Sequence, residues 1–282
     1  MLRTLNVMVA ASRRYFKLDL KYRFELTVNA ALLIANIVSF GLLGNFVVSS
    51  NPELVSYPYH VFLLTGIYYW TAIATGFNTG IFTLHEEMER GTIGFLLSNG
   101  VSPAVITLSR MAVSTIEAIG ISTIIAVPAI LISSGGSYPV LPLSQSWFVE
   151  LVASISLPWL FMASVAVALT AVQLVFKRIG GLAGAIHYAL GVASGLYFPP
   201  QAIPLVGWFL EKLPISIGLA TFRELLVFGE ARSIELTISR ITTPLTPEWI
   251  LVFTPLVLFA LSLVLLVKVE RITMRWGTIE QY

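Results

Sequence analysis

The 282-residue chain is predicted to be an all-α polytopic membrane protein with six transmembrane helices. Three observations carry that expectation. Hydrophobic residues make up 56% of the chain and charged residues 11%, with a mean hydropathy of +0.85; a water-soluble domain of that composition would expose large apolar patches. The apolar residues gather in runs of about 20, the number of helical residues that crosses a hydrocarbon core about 30 Å thick. Finally, lysine and arginine divide unequally between the two sides that such runs define.

Residues 1–27 are expected to form an amphipathic helix lying in the membrane interface. Phe16, Leu20 and Phe24 recur at i, i+4 and i+8 on one helical face, while Arg14, Lys17 and Lys21 cluster on another. Rings so placed enter the lipid boundary and the cations meet anionic headgroups. Asp19 and Arg23 interrupt the stripe, which leaves a partner-docking role open beside anchoring. The segment has neither the uncharged apolar core nor the small-residue cleavage pattern of a secretory signal.

Residues 28–282 read as a single transmembrane domain with spans at 28–48, 59–84, 105–132, 151–176, 180–198 and 249–267. Each Leu, Ile, Phe or Val favours insertion by about 0.3–0.6 kcal/mol, so a run tolerates an occasional polar residue. With six spans and both termini on one side, that side holds all the Lys and Arg except Lys212, Arg223, Arg232 and Arg240. The bias places both termini in the cytoplasm of a multi-pass protein of the cell membrane. The formal net charge of +2 conceals this asymmetry, since it sums both sides. Ala31, Ala35 and Ser39 in the first span, and Gly180, Gly184, Gly191 and Gly195 in the fifth, mark faces for close helix approach, within one chain or at a dimer seam.

The second span is rich in rings: Phe62, Tyr68, Tyr69, Trp70 and Phe77, with Tyr57 and Tyr59 at its outer end. End tyrosines fit an interfacial belt, and deeper rings fit the lining of a path for an amphipathic or glycan-bearing molecule. Tyr68, Tyr69, Trp70, Phe77, Asn78 and Glu117 are therefore the candidate pathway residues. Glu117 lies two turns beyond Arg110, and a charge at mid-bilayer costs about 3 kcal/mol, so it must face protein or water as a structural ion pair or a substrate contact. Asn78, Gln173 and His187 are expected to hydrogen-bond between helices.

Between the second and third spans lies a polar island over 86–100. Glu86, Glu87 and Glu89 precede Arg90, Gly91 and Thr92, and a short apolar helix over 93–98 would set the carboxylates at its partly positive N-terminus. Asn99-Gly100 supplies a left-handed stop, and Ser102-Pro103 an N-cap and first-turn proline for the third span. The apolar side of Ile93, Phe95, Leu96 and Leu97 needs cover from the interface, helix ends or another protein. A second irregular region, 199–230, contains two short apolar pieces divided by Pro214. It is expected to be an outer re-entrant helical hairpin with its backbone covered by protein, or else a pair of interfacial outer helices.

Several chemistries lack residues. There is no cysteine, which removes disulfide, iron–sulfur and thiol chemistry. No phosphate-binding loop occurs. His60, His85 and His187 are scattered without companions at metal-ligand spacing, so no metal site is expected. No nucleophile elbow appears, and neither an enzyme activity nor nucleic-acid binding is expected.

Glu89-Arg90-Gly91-Thr92-Ile93-Gly94-Phe95-Leu96-Leu97 with Ser102-Pro103, Tyr197-Phe198-Pro199 through Ile203-Pro204, Leu213-Pro214 and Phe222-Arg223-Glu224-Leu225 occur in an order that resembles the membrane subunits of type-2 ABC exporters. The likeness covers nearly the whole chain and includes drug, polysaccharide and lipid-linked exporters. It departs at Gly94, where the family often has a second glutamate. It implies that the helix near Thr92 is a coupling helix, with Glu86, Glu87, Glu89, Arg90, Gly91, Thr92, Phe95 and Leu96 meeting an ATPase. It also implies half a transporter: two such permeases, identical or not, with two ABC ATPase subunits that hold ATP and magnesium, and no cofactor in this chain. A gradient-driven carrier or channel and a non-transporting scaffold are the alternatives.

Overall fold

The computed structural model describes residues 2–48, 58–232 and 246–276. Tyr57 and Arg240, used above in reading the outer side, lie outside the described residues. Among the described residues every regular element is helical. In chain order these are α1 (Leu2–Lys21), α2 (Arg23–Val48), α3 (Tyr59–Glu89), α4 (Ile93–Ser98), α5 (Pro103–Ser133) and α6 (Gln145–Phe176). There follow α7 (Gly180–Ala193), a 3-10 turn (Pro200–Ala202), α8 (Gly207–Leu210), α9 (Pro214–Phe228) and α10 (Pro247–Trp276).

Among the described residues three helices are long and apolar enough to cross a membrane: Pro103–Ser133, Gln145–Phe176 and Pro247–Thr273. Each contains a proline, Pro128, Pro158 and Pro255 respectively, yet continues through it, as membrane helices do when neighbours satisfy the freed carbonyl. α3 is as long, at 31 residues, but its middle is diluted by Tyr68, Tyr69, Trp70 and Asn78. α1 and α2 meet at Tyr22 in a sharp bend, with 78° between Asn6–Lys21 and Leu26–Phe40. The N-terminal helix is thus set apart from α2. Phe16 and Leu20 are exposed on it while Tyr15 is buried, and Phe24, expected to extend the same stripe, lies exposed beyond the bend in α2.

The fifth predicted span is shorter than expected. α7 has 14 residues, about 21 Å of helix, where the sequence pointed to helix over 180–198. Gly195 turns the chain with φ +81°, and Pro199-Pro200 leads only into the single 3-10 turn. The following residues leave carbonyls open, and a side chain from α9 closes them: Arg223 donates to Gly195 O (2.9 Å), Leu196 O (3.1 Å) and Phe62 O (3.0 Å). Its guanidinium also lies 3.5 Å from the centroid of the Phe62 ring.

α3 packs most extensively on α5, α10 and α9 on α6, α2 on α3, and α1 on α5. The α3–α5 contact depends on two glycines, since a Cβ on Gly76 would stand 2.0 Å from Thr115 Oγ1 and one on Gly80 3.1 Å from Thr107 O. These are the small residues that set helix spacing here. The stripe of Ala31, Ala35 and Ser39 is exposed instead, with Leu33 and Ile37 turned to the core. One core joins Tyr69, Phe77, Met162, Ile215, Leu219 and Phe222 between α3, α6 and α9. A second gathers Tyr15, Leu84, Met88, Ile93, Ile106, Val167 and Leu266 near α4.

In the 199–230 region, α9 is buried along most of its length, Ile215, Leu219, Phe222 and Leu225 among its buried residues. This burial is common to both expectations for the region, a re-entrant hairpin and a pair of outer helices.

Candidate functional site

The loop between α3 and α5 folds from local signals. Gly91 takes φ +68° and Gly100 φ +77°, the left-handed turns that isolate α4 between them. Ser102 caps α5 by accepting from Val105 N at 3.4 Å, with Pro103 in the first turn. The short helix occupies Ile93–Ser98, the bounds expected from these residues.

The carboxylates are placed differently from the expectation. Glu86, Glu87 and Glu89 belong to the last turn of α3, so they lie at a helix C-terminus rather than at the N-terminus of α4. The helix dipole disfavours negative charge there, and each acid has a compensating neighbour. Arg90 pairs with Glu86 at 3.1 Å, and His85 Nε2 lies 3.1 Å from Glu89 Oε1. Glu87 is 1% exposed and receives hydrogen bonds from Arg14 Nη2 (3.1 Å) and Thr92 Oγ1, while Thr92 N donates to Glu87 O at 3.0 Å. One buried acid therefore ties α1, the end of α3 and the start of α4 together. Burial and the nearby Glu87 carboxylate push the Tyr15 phenol up to about 12. Ile93 fixes α4 in the core, and Phe95 stands 71% exposed on its other side, with Leu96 half-buried.

A cavity of about 270 Å³ opens beside this knot, at the α1–α2 bend and between α2, α3, α5 and α7. Its walls are polar for a place among apolar helices: Asn29, Asn36, Asn78, Ser114, Glu117 and His187 line it with Trp70. Asp19, Tyr22 and Arg110 close its end and also line a second hollow of about 480 Å³, whose other walls include Glu86, Glu87 and Arg90. Arg110 forms an ion pair with Asp19. It does not pair with Glu117, whose carboxyl lies beside that of Asp19 and whose Oε1 is buried without a hydrogen-bond partner.

Of the candidate pathway residues, Trp70, Asn78 and Glu117 line the cavity. Tyr68, Tyr69 and Phe77 do not. Phe77 is fully buried, Tyr69 donates its hydroxyl to Ser154 O at 3.0 Å, and the Tyr68 hydroxyl meets Thr123 Oγ1 at 2.8 Å. Of the atoms expected to bond between helices, Gln173 Oε1 and His187 Nδ1 are buried without a partner. Thr107 with Thr170 (3.1 Å), Trp159 Nε1 with Thr115 (2.9 Å) and Ser216 with Ala193 O (2.7 Å) join helices instead.

Sequence reasoning missed Asp19, Asn29 and Asn36 as site residues. Asn29 and Asn36, seven residues apart and so on one face of an apolar helix, were a readable signal; Asp19 registered only as a break in a stripe. Among the described residues no three His, Asp or Glu side chains are gathered to hold a metal ion. No protein-family model matches the chain, and no curated protein matches it.

Proposed function

We propose that the chain is the membrane-spanning subunit of an ATP-driven exporter of the type-2 ABC class, carrying an amphipathic molecule. Two copies, or this chain and a related permease, would form the pathway at their seam, and two separate ATPase subunits would supply energy. Six crossings would be made by α2, α3, α5, α6, α7 with the residues after it, and α10, leaving both termini in the cytoplasm.

The observation that carries this reading is α4. It is a six-residue apolar helix, too short to cross lipid, held between two long helices with Phe95 turned outward. Its root is fixed to α1 through Glu87, so a push on α4 reaches the α1–α2 bend and the cavity beside it. The sequence contains no phosphate-binding loop, and in this reading a partner hydrolyses the nucleotide.

Site-specific photocrosslinking from position 95 in native membranes tests the proposal. An adduct with an ATPase that carries a phosphate loop, weakened when Leu96→Ala is introduced into the same chain, is the expected result. Adducts with lipid alone, or with no nucleotide-binding protein, would overturn it. The polar cavity favours a second reading, a gradient-driven carrier, which predicts flux in liposomes without nucleotide.

A further inference from the structure

We propose that the cavity between α2, α3, α5 and α7 binds a small organic monocation, an ammonium group on a compact aromatic or apolar body, with Glu117 as its counter-charge. Asp19 and Glu117 lie together near a single guanidinium, and Arg110 is committed to Asp19. The two carboxyls hydrogen-bond to each other through a shared proton, and a bound cation that displaces that proton meets one carboxylate more than Arg110 balances. Glu117 Oε1 is shielded from solvent yet has no hydrogen-bond partner, an arrangement that favours an incoming positive charge in a medium of low dielectric.

The remaining walls distinguish an organic cation from a bare metal ion. A metal would need further ligating acids at short range, and the cavity offers the amides of Asn29, Asn36 and Asn78 instead. Its volume of about 270 Å³ is close to the lower end of small-molecule sites, about 300–1,000 Å³. Trp70 presents a ring, to which ammonium groups are attracted by the ring's quadrupole, and Leu32, Leu33 and Ile121 supply apolar cover for the body. The hollow beyond the Asp19–Arg110 pair gives a route of approach from the α4 end.

That this cation is the transported molecule rests on the exporter reading; its binding does not. The full chain in lipid nanodiscs is titrated with tritiated benzyltrimethylammonium, then challenged with its uncharged carbon isostere and with benzylsulfonate. Saturable binding is expected, with displacement at least tenfold weaker by the neutral isostere and none by the anion. Glu117→Gln should weaken binding at least tenfold and Asn78→Ala severalfold, while Leu205→Ala, remote and exposed, should leave it unchanged. Absence of saturable binding, as when a proton alone satisfies Glu117, would overturn the proposal, and so would undiminished binding by Glu117→Gln. Should that variant fail to fold, the charge series on the wild-type chain decides, since equal displacement by cation and neutral isostere also overturns it. Binding here without an ATPase adduct at position 95 removes the exporter reading alone, and the reverse pair of results removes this proposal alone.

Discussion

Arg223 is buried to 4% exposure, and its energetic weight comes from the carbonyls it serves. Each buried carbonyl left without a donor costs about 1–3 kcal/mol. Arg223→Ala is expected to lower stability by about 3 kcal/mol, read from unfolding in mixed detergent micelles. Arg223→Lys should recover only part of that loss, because one ammonium cannot reach the same carbonyls as a planar fork. Gly218 makes a second residue-level test. A Cβ there would stand 2.2 Å from Pro158 Cγ and 2.8 Å from Ser154 O, so Gly218→Ala should destabilise by about 1–3 kcal/mol through overpacking. Gly120 has nothing within 4 Å of such a Cβ, and Gly120→Ala should be neutral or slightly stabilising by the same assay, since alanine is the better helix former.

At the level of elements, α4 was the part most legible from sequence, because Gly91, Asn99-Gly100 and Ser102-Pro103 act on their immediate neighbours. What holds α4 was not legible. The bond from Arg14 to Glu87 joins residues 73 apart in the chain, and no local pattern selects that partner. The same limit hid the pairing of Arg110 with Asp19, 91 residues away in the chain. Glu87→Ala should therefore free the amino-terminal helix, raising amide exchange along α1 about tenfold, since an unmade charge-assisted bond costs about 1.5–3 kcal/mol. Arg14→Ala should do less, because the Arg14 side chain is 47% exposed and solvent screens its share. If exchange in α1 is the same in both variants and the wild type, the tie carries no load.

For the whole molecule, the charge bias predicts opposite sides for the α4 loop and the 3-10 turn region. In intact cells an impermeant maleimide should label Leu205→Cys, exposed to 92%, and should reach Phe95→Cys only after permeabilisation. Labelling of both in intact cells would refute the topology. The apolar runs revealed the helices well, since partition into lipid depends on composition summed over each run. They overstated α7, where a turn at Gly195 and a cation from a distant helix stand in place of the last part of the expected helix. The burial of α9 has a consequence for any attempt to alter specificity by exchanging parts. Gly218 touches Pro158 and Ser154, and Trp147 Nε1 donates to Leu225 O at 3.1 Å, so α9 and the first half of α6 form one interlocked surface. A chimera that transplants residues 199–230 alone would import the wrong mould, whereas one that carries residues 145–230 together keeps both halves of the cast.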